Sequence, residues 1–242
     1  MQAGAVLSEA WSMYRAHFRH FVAISLAFYV VLAAFAILLV LLLGPFGAIA
    51  AAFVGLAGVF WVQAALVTAV EDVRDGRADL GVRETIAGIR PHVNRLSFAA
   101  IGMLILLIIV AFLIALGFAL FVIPGIALLI AFVIFLVRWS LLVPVLVLED
   151  KTVFGALDRS QELVKGRTWP ALKVIVGTLL VGLAAAIVVR LVLSPFPEWV
   201  ESLGGFLTSA LIAPFIAVAW TFMYYRLRPH PETALGAAPV AP

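Results

Sequence analysis

The chain has 242 residues, of which 65% are hydrophobic and 12% are charged, and it carries a formal net charge of +3. A soluble domain of this length cannot bury so large an apolar fraction, so the composition excludes a soluble globular protein and indicates one that is integral to a membrane. The absence of cysteine from the sequence excludes disulfides and thiolate metal sites.

Six apolar segments are long enough to cross a membrane, because a spanning helix needs about 20 apolar residues. Residues 96–137 contain no charge, and as one helix they would extend about 63 Å, so the chain must reverse within them. We place this turn between Gly117 and Gly125, with Pro124 in the first turn of the next helix. The predicted spans are 21–43, 46–70, 96–116, 124–148, 169–193 and 206–225.

The same arrangement recurs three times along the chain: a short charged amphipathic stretch, then two apolar runs separated by a turn rich in glycine or proline. A tryptophan lies late in the second run of each unit, and in the first two units an acidic pair follows ten residues later. This self-similarity predicts an all-α integral membrane fold of six transmembrane helices in three hairpin repeats, each preceded by a cytoplasmic interfacial helix. The units cover about residues 3–72, 79–150 and 152–228; the tryptophans are Trp61, Trp139 and Trp220, and the acidic pairs begin at Glu71 and Glu149.

The three amphipathic stretches begin near Val6, Val82 and Val153 and carry apolar residues at helical spacing. Thr152 is the predicted N-cap of the third, and Asp79 is a candidate N-cap of the second. Such helices lie in the plane of the headgroups. They form either a collar that senses lipid or docks a partner protein, or elbows that guide each hairpin into the bilayer.

Arginine and lysine are distributed very unevenly between the two predicted sides, and the turns of the first two hairpins carry neither. By the positive-inside rule, both termini and both longer loops are cytoplasmic. This basic rim either binds anionic lipid headgroups or serves only to set the topology. Residues 1–228 form one membrane domain, and the proline-rich residues 229–242 are a predicted disordered cytoplasmic tail. The basic residues on this side or at its edge are Arg15, Arg19, Arg74, Arg77, Arg83, Arg90, Arg95, Lys151, Arg159, Lys165, Arg167, Lys173, Arg226 and Arg228.

Arg138 lies close to the middle of the fourth span, where an arginine costs about 2.5–3.5 kcal/mol to insert. Glu149 falls on the same helix face but about 16 Å away, and Pro144 between them predicts a kink that frees a backbone carbonyl. Arg138 is therefore either a functional residue that holds an acidic partner or a lipid phosphate within the bundle, or a structural residue that orders helix packing. Its candidate side-chain partners are Gln63, Thr68 and Glu71 on the second span.

Catalytic signals are absent from the sequence. The four histidines lie in the predicted rim segments, and the chain contains no metalloprotease, nucleophile-elbow or phosphate-loop motif. We therefore predict no catalytic, cofactor-binding or metal-binding residue, and we lean against an enzyme. An intramembrane enzyme that acts on lipid is the least favoured alternative.

Four short motifs carry a resemblance to a known family. They are Arg138 to Pro144, Val147 to Glu149, Ala156 to Ser160 and Lys165 to Trp169. Together they resemble the membrane domain attached to bacterial glycerophosphoryl diester phosphodiesterases, and related uncharacterised six-span proteins. The resemblance implies a bacterial inner-membrane protein linked to phospholipid or glycerophosphodiester metabolism. It does not imply phosphodiesterase activity, because the family's active site belongs to a separate soluble domain that no loop here is long enough to hold.

These observations favour a non-enzymatic, lipid-interacting membrane protein with a lipid-handling, accessory or scaffold role. The expected partners are membrane lipids, with anionic phospholipid at the cytoplasmic rim, and a partner protein is a further candidate. Nucleic acid is not an expected partner, because the sequence shows no soluble binding module. A transporter or channel for a small polar solute is the alternative. The candidate functional residues are Arg138, Glu149, Pro144, Glu71, Gln63, Arg159 and Arg167.

Overall fold

The computed structural model describes residues 2–76 and 81–228, so the candidate cap Asp79 and the predicted tail 229–242 lie outside the described residues. The described residues form α-helices joined by short turns, with one 3-10 turn at Arg90–His92 and no β-strand. The helices are α1 (Ala3–Ala16), α2 (Phe18–Leu43), α3 (Pro45–Arg74), α4 (Val82–Ile89), α5 (Val93–Leu120), α6 (Val122–Trp139), α7 (Leu142–Leu148), α8 (Val153–Val164), α9 (Thr168–Leu193) and α10 (Glu198–Leu227).

Six helical stretches within the described residues are long and apolar enough to cross a membrane, which confirms the predicted all-α class and the number of candidate spans. They are α2, α3, α4 with α5, α6 with α7, α9, and α10. The protein is thus built as an integral membrane protein would be.

Two of the three turns between long helices lie where the sequence predicts them. The first is a single residue, Gly44, whose φ of +55° favours glycine. Close behind it, a Cβ on Gly47 would lie 2.0 Å from the Leu39 carbonyl oxygen, so only glycine lets α2 and α3 approach this closely. The second turn is Phe121, between the predicted limits, with Pro124 in the first turn of α6.

The third turn is shorter than the sequence suggests. It covers Ser194 to Pro197, and α10 begins at Glu198 rather than near residue 206. Pro197 serves as the N-cap residue, and Glu198 and Glu201 occupy the first helical turn. Acidic side chains are stabilising there because they face the positive end of the helix dipole, so these residues start a helix instead of a loop.

The short helices α1, α4 and α8 lie at one end of the bundle, called here the polar end. Two of them pack on the hairpin that precedes them in the chain: α4 packs on α2 and α3, and α8 packs on α5, α6 and α7. The N-terminal α1 packs on the last hairpin, α9 and α10, so the arrangement closes on itself. The predicted cap of α8 is confirmed, because Gly155 N–H donates to the Thr152 hydroxyl at 3.2 Å.

Packing is tight in the half of the bundle near the polar end and loose in the other half. The largest fully buried side chains include Phe21, Leu66, Leu141 and Met223, all in the first half. At the other end of the bundle, near the turns that join the long helices, large apolar side chains face outward. Ile123, two residues after the turn at Phe121, is 81% exposed. The long helices therefore separate away from the polar end, which leaves space between them.

Candidate functional site

The fourth candidate span is broken between α6 and α7, at Ser140 and Leu141. Pro144 has no N–H to donate to the Ser140 carbonyl four residues earlier, and its ring crowds that position. The predicted kink is thus confirmed, and it takes the form of a break in the helix.

The hydroxyl of Ser160, on α8, fills this break. It donates to the Arg138 carbonyl oxygen at 2.7 Å and accepts from Leu141 N–H at 3.2 Å. Ser160 is fully buried, its bond with Leu141 N–H is buried, and its bond with the Arg138 carbonyl is partly buried. One side chain therefore satisfies a donor and an acceptor that the broken helix would otherwise leave unpaired, and it fixes α8 against the span.

Glu149 lies at the end of α7 at the centre of a second polar cluster. Its side chain is only 13% exposed, and it accepts from the Tyr224 hydroxyl at 2.9 Å. Arg159 on α8 approaches the same carboxylate, with Nε at 3.3 Å, and Lys151 lies at 3.9 Å. Arg159 also binds the exposed carboxylate of Glu162 at 3.1 Å. Two of the predicted site residues, Glu149 and Arg159, are thus in direct contact.

The loop after α7 is held by Arg95. Its guanidinium donates to the carbonyl oxygens of Asp150 and Lys151, each at 3.0 Å, and also to the Asp150 carboxylate. His92 Nε2 lies 3.2 Å from that carboxylate. Asp150 has a φ of +49°, which few residues other than glycine, asparagine and aspartate adopt readily. Its bonds to Arg95, supported by the charges of Arg95 and His92, hold the pKa of Asp150 below its usual value.

We predict that the contribution of this ion pair to stability is lost in acid. Since the pKa of Asp150 is lowered by folding, the contribution is fully present above the unfolded-state pKa of about 4 and disappears as the pH falls through the folded-state value. The melting temperature of the wild type should exceed that of Asp150→Asn between pH 7 and pH 5, and the two should converge below about pH 4. Asp158→Asn, an exposed aspartate on α8, is the control and should match the wild type. A gap between wild type and Asp150→Asn that persists unchanged at pH 3 would contradict the assignment.

Arg138 does not meet the side chains proposed for it. Its side chain is exposed on the outside of the bundle, and within the described residues its guanidinium has no hydrogen-bond or ion-pair partner. Thr68 instead donates to the Ala64 carbonyl, and Gln63 faces a cavity. Glu71 lies exposed near the end of α3. Arg138 thus faces the surroundings and not the interior of the bundle.

Arg167, the remaining predicted residue, is the N-cap residue of α9 and is exposed; its guanidinium donates to the Arg226 carbonyl at 3.4 Å. The prediction missed Ser160 and Tyr224. Tyr224 carried a usable signal, because a tyrosine near the end of an apolar span needs a partner for its hydroxyl.

A cavity of about 780 Å³ lies between the long helices, in the loosely packed half of the bundle. Side chains from α2, α3, α5, α6, α7, α9 and α10 line it, and the lining is largely apolar. The Arg190–Glu201 ion pair, with Nε and Oε1 at 3.1 Å, stands at the end distant from α8. The described residues hold no cluster of three metal-binding side chains.

Neither the curated proteins nor the solved structures contain a match to this chain. Residues 91–225 match the family described as "Domain of unknown function (DUF8558)", and this segment includes the broken span, α8, Glu149 and Tyr224. Because the match covers more than half of the sequence, the protein belongs to that family.

Proposed function

We propose that this protein is a non-enzymatic integral membrane protein that binds phospholipid, and that Arg138 contacts a headgroup phosphate. In this proposal the six apolar helices span a bacterial inner membrane with both termini in the cytoplasm. The outward-facing apolar side chains support insertion, and the excess of arginine and lysine at the polar end supports the orientation.

The proposal includes three related units, each made of an interfacial helix and a hairpin. Its support is the way α1, α4 and α8 each pack on a neighbouring hairpin, so that the three units close into a ring. In this arrangement the short helices lie at the cytoplasmic headgroups, next to the basic side chains.

The observation that carries the proposal is the exposed guanidinium of Arg138 in an apolar candidate span, which has no hydrogen-bond or ion-pair partner within the part of the chain that the structure describes. A charge in this position is costly in hydrocarbon, and arginine relieves the cost by reaching toward headgroups or by drawing a phosphate inward. A guanidinium also matches phosphate geometry with two parallel hydrogen bonds. The Ser160 bond to the Arg138 carbonyl holds the backbone in place, so the side chain projects from a fixed point.

The resemblance of residues 138–169 to the phosphodiesterase-associated membrane domain extends this proposal. In the extended proposal, the protein has an accessory role in phospholipid or glycerophosphodiester metabolism. Binding of a phosphate-bearing lipid is the activity that such a role requires of the membrane domain itself.

Addition of phosphatidylglycerol should raise the melting temperature of the purified wild type by about 5 °C when the lipid is well above its dissociation constant. Arg138→Ala should lose most of this shift because the phosphate contact is gone, while melting without added lipid at nearly the same temperature. The control is Arg190→Ala, which removes an exposed arginine that is already paired with Glu201; it should keep the wild-type shift. An equal shift in Arg138→Ala and the wild type would contradict phosphate binding at Arg138.

A transporter or channel for a small polar solute is the second candidate, because the cavity lies between helices from all three hairpins. The largely apolar lining argues against a polar path. Solute uptake into proteoliposomes that Gly205→Leu abolishes by filling the cavity would favour this candidate over lipid binding.

A further inference from the structure

The cavity between the long helices contains polar groups that the protein leaves unused. Tyr29, Gln63 and Trp139 line the cavity, and the Gln63 amide nitrogen is buried without a hydrogen-bond partner. Among the described residues, the Tyr29 hydroxyl and the Trp139 indole N–H have no hydrogen-bond partner either. The three groups come from α2, α3 and α6. Each is a donor, and a donor left unpaired in apolar surroundings is costly.

The other polar groups of the lining are satisfied within the protein. The hydroxyls of Ser140, Thr208 and Ser209 donate to carbonyl oxygens of their own helices. The Trp220 indole donates to Thr178 at 3.3 Å, and Arg190 pairs with Glu201. The lining therefore offers donors to a ligand but no free charge.

The shape of the cavity suits an elongated molecule. On α9 the lining runs from Ile175 to Arg190, which corresponds to about 22 Å along the helix axis. The aromatic rings of Phe60 and Trp220 also belong to the lining. Exposed lining residues such as Leu136 and Leu179 show that the cavity opens sideways, toward the surface that faces lipid in our proposal.

We infer that this cavity binds a neutral lipid whose head carries a carbonyl group. Carbonyl oxygen accepts hydrogen bonds from Tyr29, Gln63 and Trp139, and the apolar chain extends along the cavity toward the Arg190–Glu201 pair. A phosphate-bearing headgroup does not suit this site, because the cation among the described lining residues, Arg190, is already paired with Glu201. Prenylquinones and diacylglycerols share the required chemistry. The site is separate from Arg138, and either can exist without the other.

The test uses two probes, decylubiquinone and dioleoylglycerol. The quinone should quench tryptophan fluorescence in a saturable manner, because two of the six tryptophans line the cavity. Dioleoylglycerol should raise the melting temperature if it binds, and it should relieve quenching by the quinone if both occupy the same site. Binding of the quinone alone identifies a quinone head, and binding of dioleoylglycerol identifies an acylglycerol; either supports the inference.

The variants separate the cavity from the rest of the surface. Gly205→Leu should abolish saturable binding because Gly205 lines the cavity, and a Cβ there meets no atom within 4 Å, so the side chain fills space without a clash. Gly102→Leu is the matched control: its Cβ also meets nothing, but Gly102 lies outside the lining, so binding should stay at the wild-type level. Tyr29→Phe and Gln63→Met keep the volume and remove one donor each, and each should weaken binding about tenfold.

Three results would overturn the inference. The first is failure of both probes to bind the wild type, which would mean a cavity filled by water or bulk lipid. The second is equal saturable binding in Gly205→Leu and Gly102→Leu. The third is wild-type affinity for the probes in both Tyr29→Phe and Gln63→Met. These two variants still test the inference if Gly205→Leu fails to fold. None of these three results bears on the phosphatidylglycerol shift assigned to Arg138.

Discussion

Replacement of Ser160 by alanine is expected to lower the free energy of unfolding by about 2–4 kcal/mol. The hydroxyl is fully buried and bonds both the Arg138 carbonyl and the Leu141 N–H at the helix break. Its loss leaves the buried Leu141 N–H and the partly buried Arg138 carbonyl without this partner, at up to about 1–3 kcal/mol each. The expected change should be seen as a lower midpoint of unfolding in mixed micelles.

The matched control is Ser209→Ala. Ser209 is exposed and donates to the Gly205 carbonyl, which already lies within its own helix, so its removal should change stability by less than about 0.5 kcal/mol. If Ser160→Ala and Ser209→Ala unfold at the same midpoint, the hydroxyl does not hold the break, and the role of α8 in positioning Arg138 has to be abandoned.

Replacement of Glu149 by leucine is expected to lower the free energy of unfolding by about 2–4 kcal/mol. This loss is somewhat smaller than the loss on breaking a fully buried ion pair, because Arg159 is partly solvated. The change leaves the buried Tyr224 hydroxyl without its acceptor and Arg159 without its main counter-charge. The same unfolding measurement applies, and the double variant Glu149→Leu, Arg159→Leu should recover part of the loss because both charged partners are then absent.

Glu162→Leu provides the comparison, since Glu162 binds the same arginine at 3.1 Å but from an exposed position. An exposed ion pair contributes little to stability, so Glu162→Leu should lower the free energy of unfolding by about 0.5 kcal/mol. Equal losses in Glu149→Leu and Glu162→Leu would show that burial of Glu149 does not matter, and would remove the reason to treat its cluster as the anchor of α8.

The helices and their ends follow largely from local sequence. The uncharged run of residues 96–137 has to reverse because its length is about twice the membrane, and Phe121 turns the chain within the predicted limits. Thr152 caps α8 through its own side chain, and Pro144 breaks the span through its missing N–H. The third turn is shorter than the gap between the predicted spans 169–193 and 206–225, because Glu198 and Glu201 occupy the first turn of α10, where the helix dipole favours acidic side chains.

The site depends on tertiary packing, which the sequence pattern specifies less well. The sequence predicts the depth of Arg138 along its helix but not the direction in which it faces, and in the structure its side chain is exposed on the outside of the bundle. The packing of α8 determines which serine enters the break, so the sequence pattern does not predict this role for Ser160. The cavity arises because the long helices separate away from the polar end. The residue pattern along a single helix does not predict the distance between helices.

The most direct test of lipid binding at Arg138 is mass spectrometry of the lipids that co-purify with the wild type, Arg138→Lys and Arg138→Ala, each first shown to be folded. We expect a phospholipid enriched over the bulk membrane in the wild type, retained in part by Arg138→Lys and lost in Arg138→Ala. Identical phospholipid profiles in the three folded proteins would contradict the proposal and leave Arg138 as a packing residue at the end of a broken helix.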